Sequence, residues 1–255
     1  MTEAQNPLTP APVSMTVASS NLATPGRVLA IGAHPDDVEF GCGATLAKWA
    51  AEGCAVHVLI CTDGSKGTWD PLADEAQLVA TRQREQRAAA AALGATGEVG
   101  FLGCIDGELD SSLTERARVA HWIRKTRPDV VLGHDPWKRY RLHPDHRHAG
   151  LLTTDGVVAA RDPKFFPDQE LPHHRPSALL LFEADEPDHV EEVSGYVEAK
   201  LAALLSHESQ FESTMASGDD PDLRAFRRRV LAKLEAAGAA AGVELAEVFK
   251  LIDDL

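Results

Sequence analysis

Short apolar runs alternate along this chain with longer segments of helical character, and this alternation limits the possible folds more than any other feature. The run Val56–Ile60 is almost entirely apolar, which is typical of a strand buried on both faces of a parallel sheet. Such strands separated by helices predict an α/β fold, with a Rossmann-like, mainly parallel sheet and helices on both faces. The predicted strands are Arg27–Ala33, Ala55–Thr62, Val99–Leu102, Asp129–His134 and Ala178–Glu183, and the predicted helices are Gly43–Glu52, Asp74–Leu93, Leu113–Thr126, His146–Ala160 and Val190–Ser206.

The two ends of the chain differ in character from its middle. Residues 1–25 are rich in Pro, Ser, Thr and Ala, so we expect a disordered tail before a single domain over residues 26–255. This tail lacks the apolar block of a secretory signal, and no stretch of the chain approaches the roughly 18 apolar residues of a membrane span. Towards the other end, Asp222–Ala241 is predicted as a helix and Glu247–Ile252 as an edge strand. The Pro-rich segment Arg161–Pro176 is predicted as a long loop.

Charge and cysteine content exclude several kinds of partner. The formal net charge of −14 argues against nucleic acid and against an anionic membrane surface, because both are bound through basic residues. The four cysteines have no CxxC spacing, which favours buried, reduced thiols over a zinc ribbon or a disulfide framework. We therefore expect a cytoplasmic protein.

Two clusters of imidazole and carboxylate groups follow predicted buried strands. His34-Pro35-Asp36-Asp37 comes directly after the first strand, and His143-Pro144-Asp145-His146 follows the strand that ends at His134. Open α/β sheets bind ligands at the carboxyl ends of their strands, so both clusters are expected at one edge. Zinc binds His nitrogen and Asp oxygen, and a catalytic zinc keeps an open position for water. The pattern indicates a metal-dependent hydrolase.

Within these clusters the residue types divide into ligands and helpers. Pro35 fixes one φ angle, so that His34 and Asp37 can face one point while Asp36 faces a neighbouring one. The spare carboxylate of Asp36 is then free to act as a general base. His146 can complete the set of three ligands, which leaves His143 near the reacting carbonyl. Asp145 is expected to orient an imidazole, and the alternative for either cluster alone is a solvated loop with a helix cap.

The sequence resembles the PIG-L/LmbE-like zinc-dependent N-acetylglucosaminyl deacetylases. The resemblance is carried chiefly by Ala33–Glu39 and by His143–His146. Supporting matches are Gly41–Leu46, Arg82 with Glu85, Phe101–Gly103, Asp106-Gly107, Arg127–Val131, Lys200 and His207–Gln210. This family has a Rossmann-like fold without a nucleotide, and its members often assemble into trimers or hexamers, so a homo-oligomer is one of the states open to this chain.

The resemblance implies roles for individual residues. His34, Asp37 and His146 match the family's zinc ligands, Asp36 its base, and His143 the residue that stabilises the oxyanion or protonates the leaving amine. Arg82 and Asp106 match positions that contact the sugar or the group attached to it. Some relatives carry a Tyr where this chain has Arg141, which leaves open whether the guanidinium stabilises an oxyanion or binds an acidic substrate group.

The expected reaction is removal of the N-acetyl group from an N-acetylglucosamine-containing small molecule or glycoconjugate by zinc-activated water. Zn²⁺ is the expected cofactor, and the same donors suit another divalent metal. Trp137 near the second cluster suits a sugar face or an anchor for its loop. Two alternatives remain open. One is an amidase that uses the same zinc chemistry on a thiol or sugar conjugate, and the other is a non-catalytic, zinc-dependent sugar-binding protein.

Overall fold

A computed structural model describes residues 16–215 and 220–255 of the chain. Within these residues the strands form one sheet in the order β1-β7-β8-β6-β5-β2-β3-β4. Strand β8 pairs antiparallel with β6 and β7, and the remaining pairs are parallel. The strands are β1 (Ser19–Ser20), β2 (Arg27–Gly32), β3 (Ala55–Thr62), β4 (Val99–Cys104), β5 (Val130–His134), β6 (Ala178–Phe182), β7 (His189–Glu192) and β8 (Ala246–Ile252).

Helices cover both faces of this sheet. They are α1 (Asp37–Ala51), α2 (Glu75–Ala92), α3 (Leu113–Thr126), α4 (Pro144–Arg161), α5 (Val197–Leu205) and α6 (Asp220–Ala241), with 3-10 turns at Pro167–Gln169, Ser194–Tyr196 and Glu208–Gln210. Successive residues of β2 face opposite sides, because side chains alternate along a strand. Val28 and Ala30 join a core with Trp49 of α1, whereas Leu29 and Ile31 join a second core on the other face. The predicted α/β class is confirmed.

The predicted helix Val190–Ser206 is wrong in its first third. Residues His189–Glu192 form strand β7, a 3-10 turn follows, and helix α5 begins only at Val197. The strand forms because β8 offers an antiparallel partner on one side and β1 pairs on the other. Pairing with a distant segment overrides the local helical preference.

The predicted edge strand Glu247–Ile252 is also wrong in its position. Strand β8 lies inside the sheet, between β6 and β7, because β7 and β1 extend the sheet beyond it. Its polar residue Glu247 is buried, and Lys200 of α5 donates a hydrogen bond to it across 2.5 Å. That pairing lets an alternating sequence occupy an interior position.

Helix α1 begins six residues earlier than the predicted start at Gly43, so that Asp37 is its first residue. The backbone at Cys42 is non-helical, with φ −148° and ψ 17°, and this kink separates the first turn from the rest. Gly41 allows the helix to approach the sheet closely, since an added Cβ would lie 2.5 Å from Cδ2 of Phe182. The first turn therefore carries the polar motif directly over the carboxyl end of β2.

The predicted tail lies partly outside the described residues, which begin at residue 16. Within the described part, Ser19–Ser20 pairs with β7 and Leu22 packs against the core. The predicted loop Arg161–Pro176 starts at the end of α4 and contains one 3-10 turn. Buried Arg124 donates hydrogen bonds to backbone carbonyls of this loop, including those of Asp162 and Phe165. None of the helices in the described residues is long and apolar enough to cross a bilayer.

Candidate metal centre

The two predicted clusters meet at one edge of the sheet. Strands β2 and β5 are parallel neighbours, so their carboxyl ends lie side by side. His34 lies just beyond β2, and His143 is the residue that precedes helix α4, which begins at Pro144. Proline suits the first helical turn because it has no N–H to leave unpaired. This helix start places His146 one turn into α4, on the side of β2.

Asp37 lies between the two histidines that are predicted to bind a metal with it. Its Oδ2 is 3.3 Å from Nδ1 of His34, and its Oδ1 is 3.3 Å from Nε2 of His146. Burial alone would raise the pKa of Asp37, but His146 and His134 outweigh it and hold that pKa well below the ordinary value. A carboxylate that favours its ionised form, between two imidazoles, is a donor set that suits Zn²⁺.

His134, the last residue of β5, lies beside Asp37 and His146, although it is not among the site residues predicted from the sequence. Its Nε2 lies 3.3 Å from Oδ2 of Asp37, and its ring stacks on that of His146 with centroids 4.4 Å apart. Burial would lower the pKa of His134, but Asp37 and Glu183 raise it overall. Its position at the carboxyl end of a predicted strand was the signal that could have identified it.

Candidate ligand atoms within 4.8 Å of one another form three overlapping groups among the described residues. These groups are His34/His143/His146, His34/Asp106/His143/Asp145 and Asp37/His134/His146. The predicted set of His34, Asp37 and His146 draws members from the first and the third. The chemistry of these donors therefore fits a divalent cation, with more than one combination of side chains available.

Asp36 has a backbone conformation that few residues with a Cβ adopt, with φ 111° and ψ −24°. The residue is 4% exposed, and its Oδ2 accepts no hydrogen bond within the described residues. Burial raises its pKa to about 7, and nearby Arg82 opposes that rise only in part. Asp36 is thus a carboxylate with a free oxygen beside the candidate ligands.

Asp145 and Asp106 both approach the other nitrogen of His34. Its Nε2 lies 3.0 Å from Oδ2 of Asp145 and 3.3 Å from Oδ1 of Asp106. Asp145 is fully buried, and it also accepts a 2.6 Å hydrogen bond from the backbone of Gly107. Burial would raise the pKa of Asp145, but these hydrogen bonds lower it. Asp145 and Asp106 together fix the orientation of the His34 ring.

His143 stands at the rim, with its ring edge-on to His34 at 4.6 Å and stacked on His146 at 4.9 Å. Burial, and to a lesser extent the neighbouring His34, lower the pKa of His143, which favours its neutral ring. The residue borders a cavity of about 570 Å³ that also contains Asp36, Arg82 and Asp106. His143 can therefore reach whatever the cavity holds.

Of the four residues predicted to contact substrate, Arg82 and Asp106 line this cavity. Arg141 instead points into the protein, where its side chain is 8% exposed and its Nη1 donates to Glu183 across 2.6 Å. Trp137 is 65% exposed and lines a neighbouring open cavity of about 690 Å³, together with Asp135 and other residues. Arg82 and Asp106 thus lie at the candidate metal centre, whereas Arg141 and Trp137 lie beside it.

Comparison with known proteins agrees with this arrangement. Fold and site together define an α/β protein with a candidate His/Asp metal centre at the carboxyl edge of its sheet. The family model "PIG-L: GlcNAc-PI de-N-acetylase" matches residues 29–157. The chain belongs to this family.

Its relatives include named deacetylases. The chain is 36% identical over 201 residues to the diacetylchitobiose deacetylase of Thermococcus kodakarensis, which covers 78% of this chain and 75% of that one. It is 32% identical over 252 residues to the 1D-myo-inositol 2-acetamido-2-deoxy-alpha-D-glucopyranoside deacetylase of Mycolicibacterium gilvum, with 78% of this chain and 84% of that one covered. The solved structure of N,N'-diacetylchitobiose deacetylase from Pyrococcus horikoshii matches 90% of this chain and 84% of its own with a TM-score of 0.81 and 29% identity.

Proposed function

We propose that this protein is a zinc-dependent N-deacetylase that releases acetate from an N-acetylglucosamine-containing small molecule or glycoconjugate. The observation that carries the proposal is the carboxylate of Asp36, which has a buried oxygen without a hydrogen-bond partner in the described residues and belongs to a residue that lines the same cavity as the candidate ligands. The named relatives are deacetylases of N-acetylated amino sugars, which supports the same reaction here.

His34, Asp37 and His146 are the residues proposed to hold the ion. Two imidazoles and one carboxylate leave a position open for water or substrate, as catalytic zinc sites require. When bound, the ion supplies Lewis acidity towards the acetamide oxygen and lowers the pKa of water. Another divalent cation would meet the same donors, so Zn²⁺ is the specific part of this proposal.

Asp36 is proposed as the general base. A carboxylate whose pKa is raised to about 7 by burial can accept a proton near neutral pH and return it to the departing amine. Arg82 opposes protonation of that carboxylate, since its Nη2 lies 3.8 Å from Oδ2 of Asp36. Within the described residues Oδ2 accepts no hydrogen bond, so no bond within the protein competes for a proton at this oxygen.

His143 is proposed to hydrogen-bond the acetamide oxygen as negative charge develops there. Its neutral ring is one proton short of the imidazolium, and an adjacent oxyanion would favour uptake of that proton. Asp145 supports the arrangement through His34, because its carboxylate holds that ring.

The remainder of the substrate is proposed to occupy the two cavities at this edge. Asp106 and Arg82 line the first, where a carboxylate and a guanidinium suit sugar hydroxyls. Trp137 lines the second, and an exposed indole suits the apolar face of a sugar ring. Arg141 is bound to Glu183 instead, so its proposed effect on substrate is indirect.

Cytoplasmic location and self-assembly belong to the same proposal. All four cysteines are free thiols in the structure, which supports a reducing compartment. Assembly into a trimer or hexamer is proposed from the family resemblance. Light scattering on the purified protein measures that assembly directly.

The deciding experiment incubates zinc-loaded protein with a panel of N-acetylglucosaminides and measures acetate. We expect release from at least one of them, and a loss of about 100-fold or more in kcat for Asp36→Ala with its zinc retained. Asp110→Ala is the matched control, because that carboxylate lies on the surface outside the candidate groups. Release from amide conjugates alone would instead identify an amidase, and zinc-dependent sugar binding without release would identify a binding protein.

A further inference from the structure

Two side chains of helix α2 hold the peptide group that joins Pro35 to Asp36. Nη2 of Arg82 donates to the carbonyl of Pro35 across 2.7 Å, and Oε1 of Gln86 accepts from the N–H of Asp36 across 3.0 Å. Arg82 and Gln86 are four residues apart, so they lie on the same face of the helix. Both are buried, at 3% and 0% exposure.

Asp36 needs such support because its conformation is unfavourable. A residue with a Cβ is strained in this region of positive φ, and such a conformation persists only where the surroundings hold it. Asp36 makes no side-chain capping bond to helix α1, so its own carboxylate does not fix the turn. The peptide contacts from α2 hold this backbone.

The orientation of the Gln86 amide is itself fixed by a buried carboxylate. Nε2 of Gln86 donates to Oε1 of Glu39 across 2.7 Å. Because a carboxylate can only accept, the amide nitrogen must face Glu39 and the amide oxygen must face Asp36. Glu39 is fully buried, and Nε2 of His207 lies 3.4 Å from its other oxygen. Glu39 and His207 thus form a buried pair behind Gln86.

We infer that Gln86, held by the buried Glu39–His207 pair, is a positioning residue that aims the Asp36 carboxylate into the metal cavity. The inference rests on the proposed deacetylase function for its catalytic consequence. It assigns a task to Glu39 and His207, which are too deeply buried to meet substrate. Without Gln86 the turn is free to relax towards a commoner backbone conformation, and the free oxygen of Asp36 then leaves its position.

The test replaces Gln86 with Met, which preserves side-chain volume and removes both hydrogen bonds. We expect kcat for acetate release to fall about 10- to 100-fold with KM within twofold, since misplacement of a catalytic group by about 1 Å has effects of this size. The affinity for Zn²⁺, measured by competition with a chelator, should not change, because Asp36 is not among the proposed ligands. Gln77→Met is the control, being the same substitution at an exposed position of α2.

A second arm separates positioning from a general loss of structure. In an Asp36→Ala background the Gln86→Met substitution should have no further effect on kcat, because the residue through which Gln86 acts is gone. An equal loss in both backgrounds, or an unchanged kcat in the single variant, would overturn the inference.

A third arm needs no substrate and therefore separates this inference from the proposed function. Amide hydrogen exchange at Asp36, followed by NMR, should be slow in the wild type and faster in Gln86→Met. Equal rates would overturn the inference whatever the activity. If the wild type releases no acetate from any sugar while the two exchange rates differ, the deacetylase proposal fails and the positioning of Asp36 stands.

Discussion

The guanidinium of Arg141 donates a hydrogen bond from Nη1 to Nδ1 of His146 across 2.8 Å. Nδ1 must therefore be the unprotonated nitrogen, and the ring is neutral. Burial is the main reason that the pKa of His146 is lowered to about 4. Nearby cations, among them Arg141, lower it further. A positive charge thus lies against one of the proposed ligands, and Glu183 is its ion-pair partner.

This contact predicts that Arg141 weakens metal binding. Replacement by Met removes a like charge beside a divalent cation at the cost of one hydrogen bond worth about 1 kcal/mol. We expect Arg141→Met to tighten Zn²⁺ binding roughly 2- to 10-fold, measured by chelator competition. Arg139→Met, which removes an exposed cation two residues away, should leave the affinity unchanged. Weaker binding by Arg141→Met would mean that the hydrogen bond orients His146 and outweighs the charge.

His134, in contrast to Arg141, should strengthen Zn²⁺ binding. Its Nε2 lies 3.3 Å from the same carboxylate oxygen of Asp37 that faces His34, and loss of such an outer partner costs about 10- to 100-fold in metal affinity. His134→Asn should weaken Zn²⁺ binding by that factor. His148→Asn on helix α4 is the control, because that ring contacts Ser111 and belongs to none of the candidate metal groups. An affinity equal to that of the wild type would remove His134 from the site.

A buried ion pair far from the metal centre predicts how stability depends on pH. Burial would raise the pKa of Glu191, but hydrogen bonds from His189 and Lys48 lower it below the ordinary value of 4.5. A lowered pKa means that the ionised carboxylate stabilises the folded state above about pH 4.5, and that this contribution is lost as the pH falls through the folded-state pKa.

Glu191→Gln should therefore reduce the free energy of unfolding by about 1–3 kcal/mol near neutral pH, because Lys48 loses its buried partner. The difference from the wild type should shrink as the pH is lowered below 4.5, the ordinary value of this carboxyl. Urea unfolding across that range measures it. Glu198→Gln is the control, since that side chain is 80% exposed. A difference that persists at low pH would contradict the assignment.

The sequence predicted the parts of the site that follow local rules. Apolar strands followed by His and Asp placed His34 and His146 at one edge of the sheet, since parallel strands end together. The residues that it missed come from elsewhere in the chain. Gln86 lies in the middle of a helix of low amphipathicity, and nothing near it in sequence marks its contact with Asp36.

The errors have the same origin. Arg141 was expected to face substrate, and only the position of Glu183 after β6 explains why it points inward. Strand β7 was predicted as helix because its partners, β1 and β8, are both distant in sequence. Local sequence patterns predict the helices, the strands and the polar residues at their ends. Contacts between segments that are distant in sequence decide which of these polar residues meet.

The central claim is that His34, Asp37 and His146 bind one divalent ion. Crystals grown with Zn²⁺ and measured at the zinc absorption edge locate that ion by its anomalous scattering. The account predicts one peak, about 2.0–2.2 Å from a nitrogen of each histidine and an oxygen of Asp37. A peak held instead by Asp37, His134 and His146, or by His34, Asp106, His143 and Asp145, would contradict it.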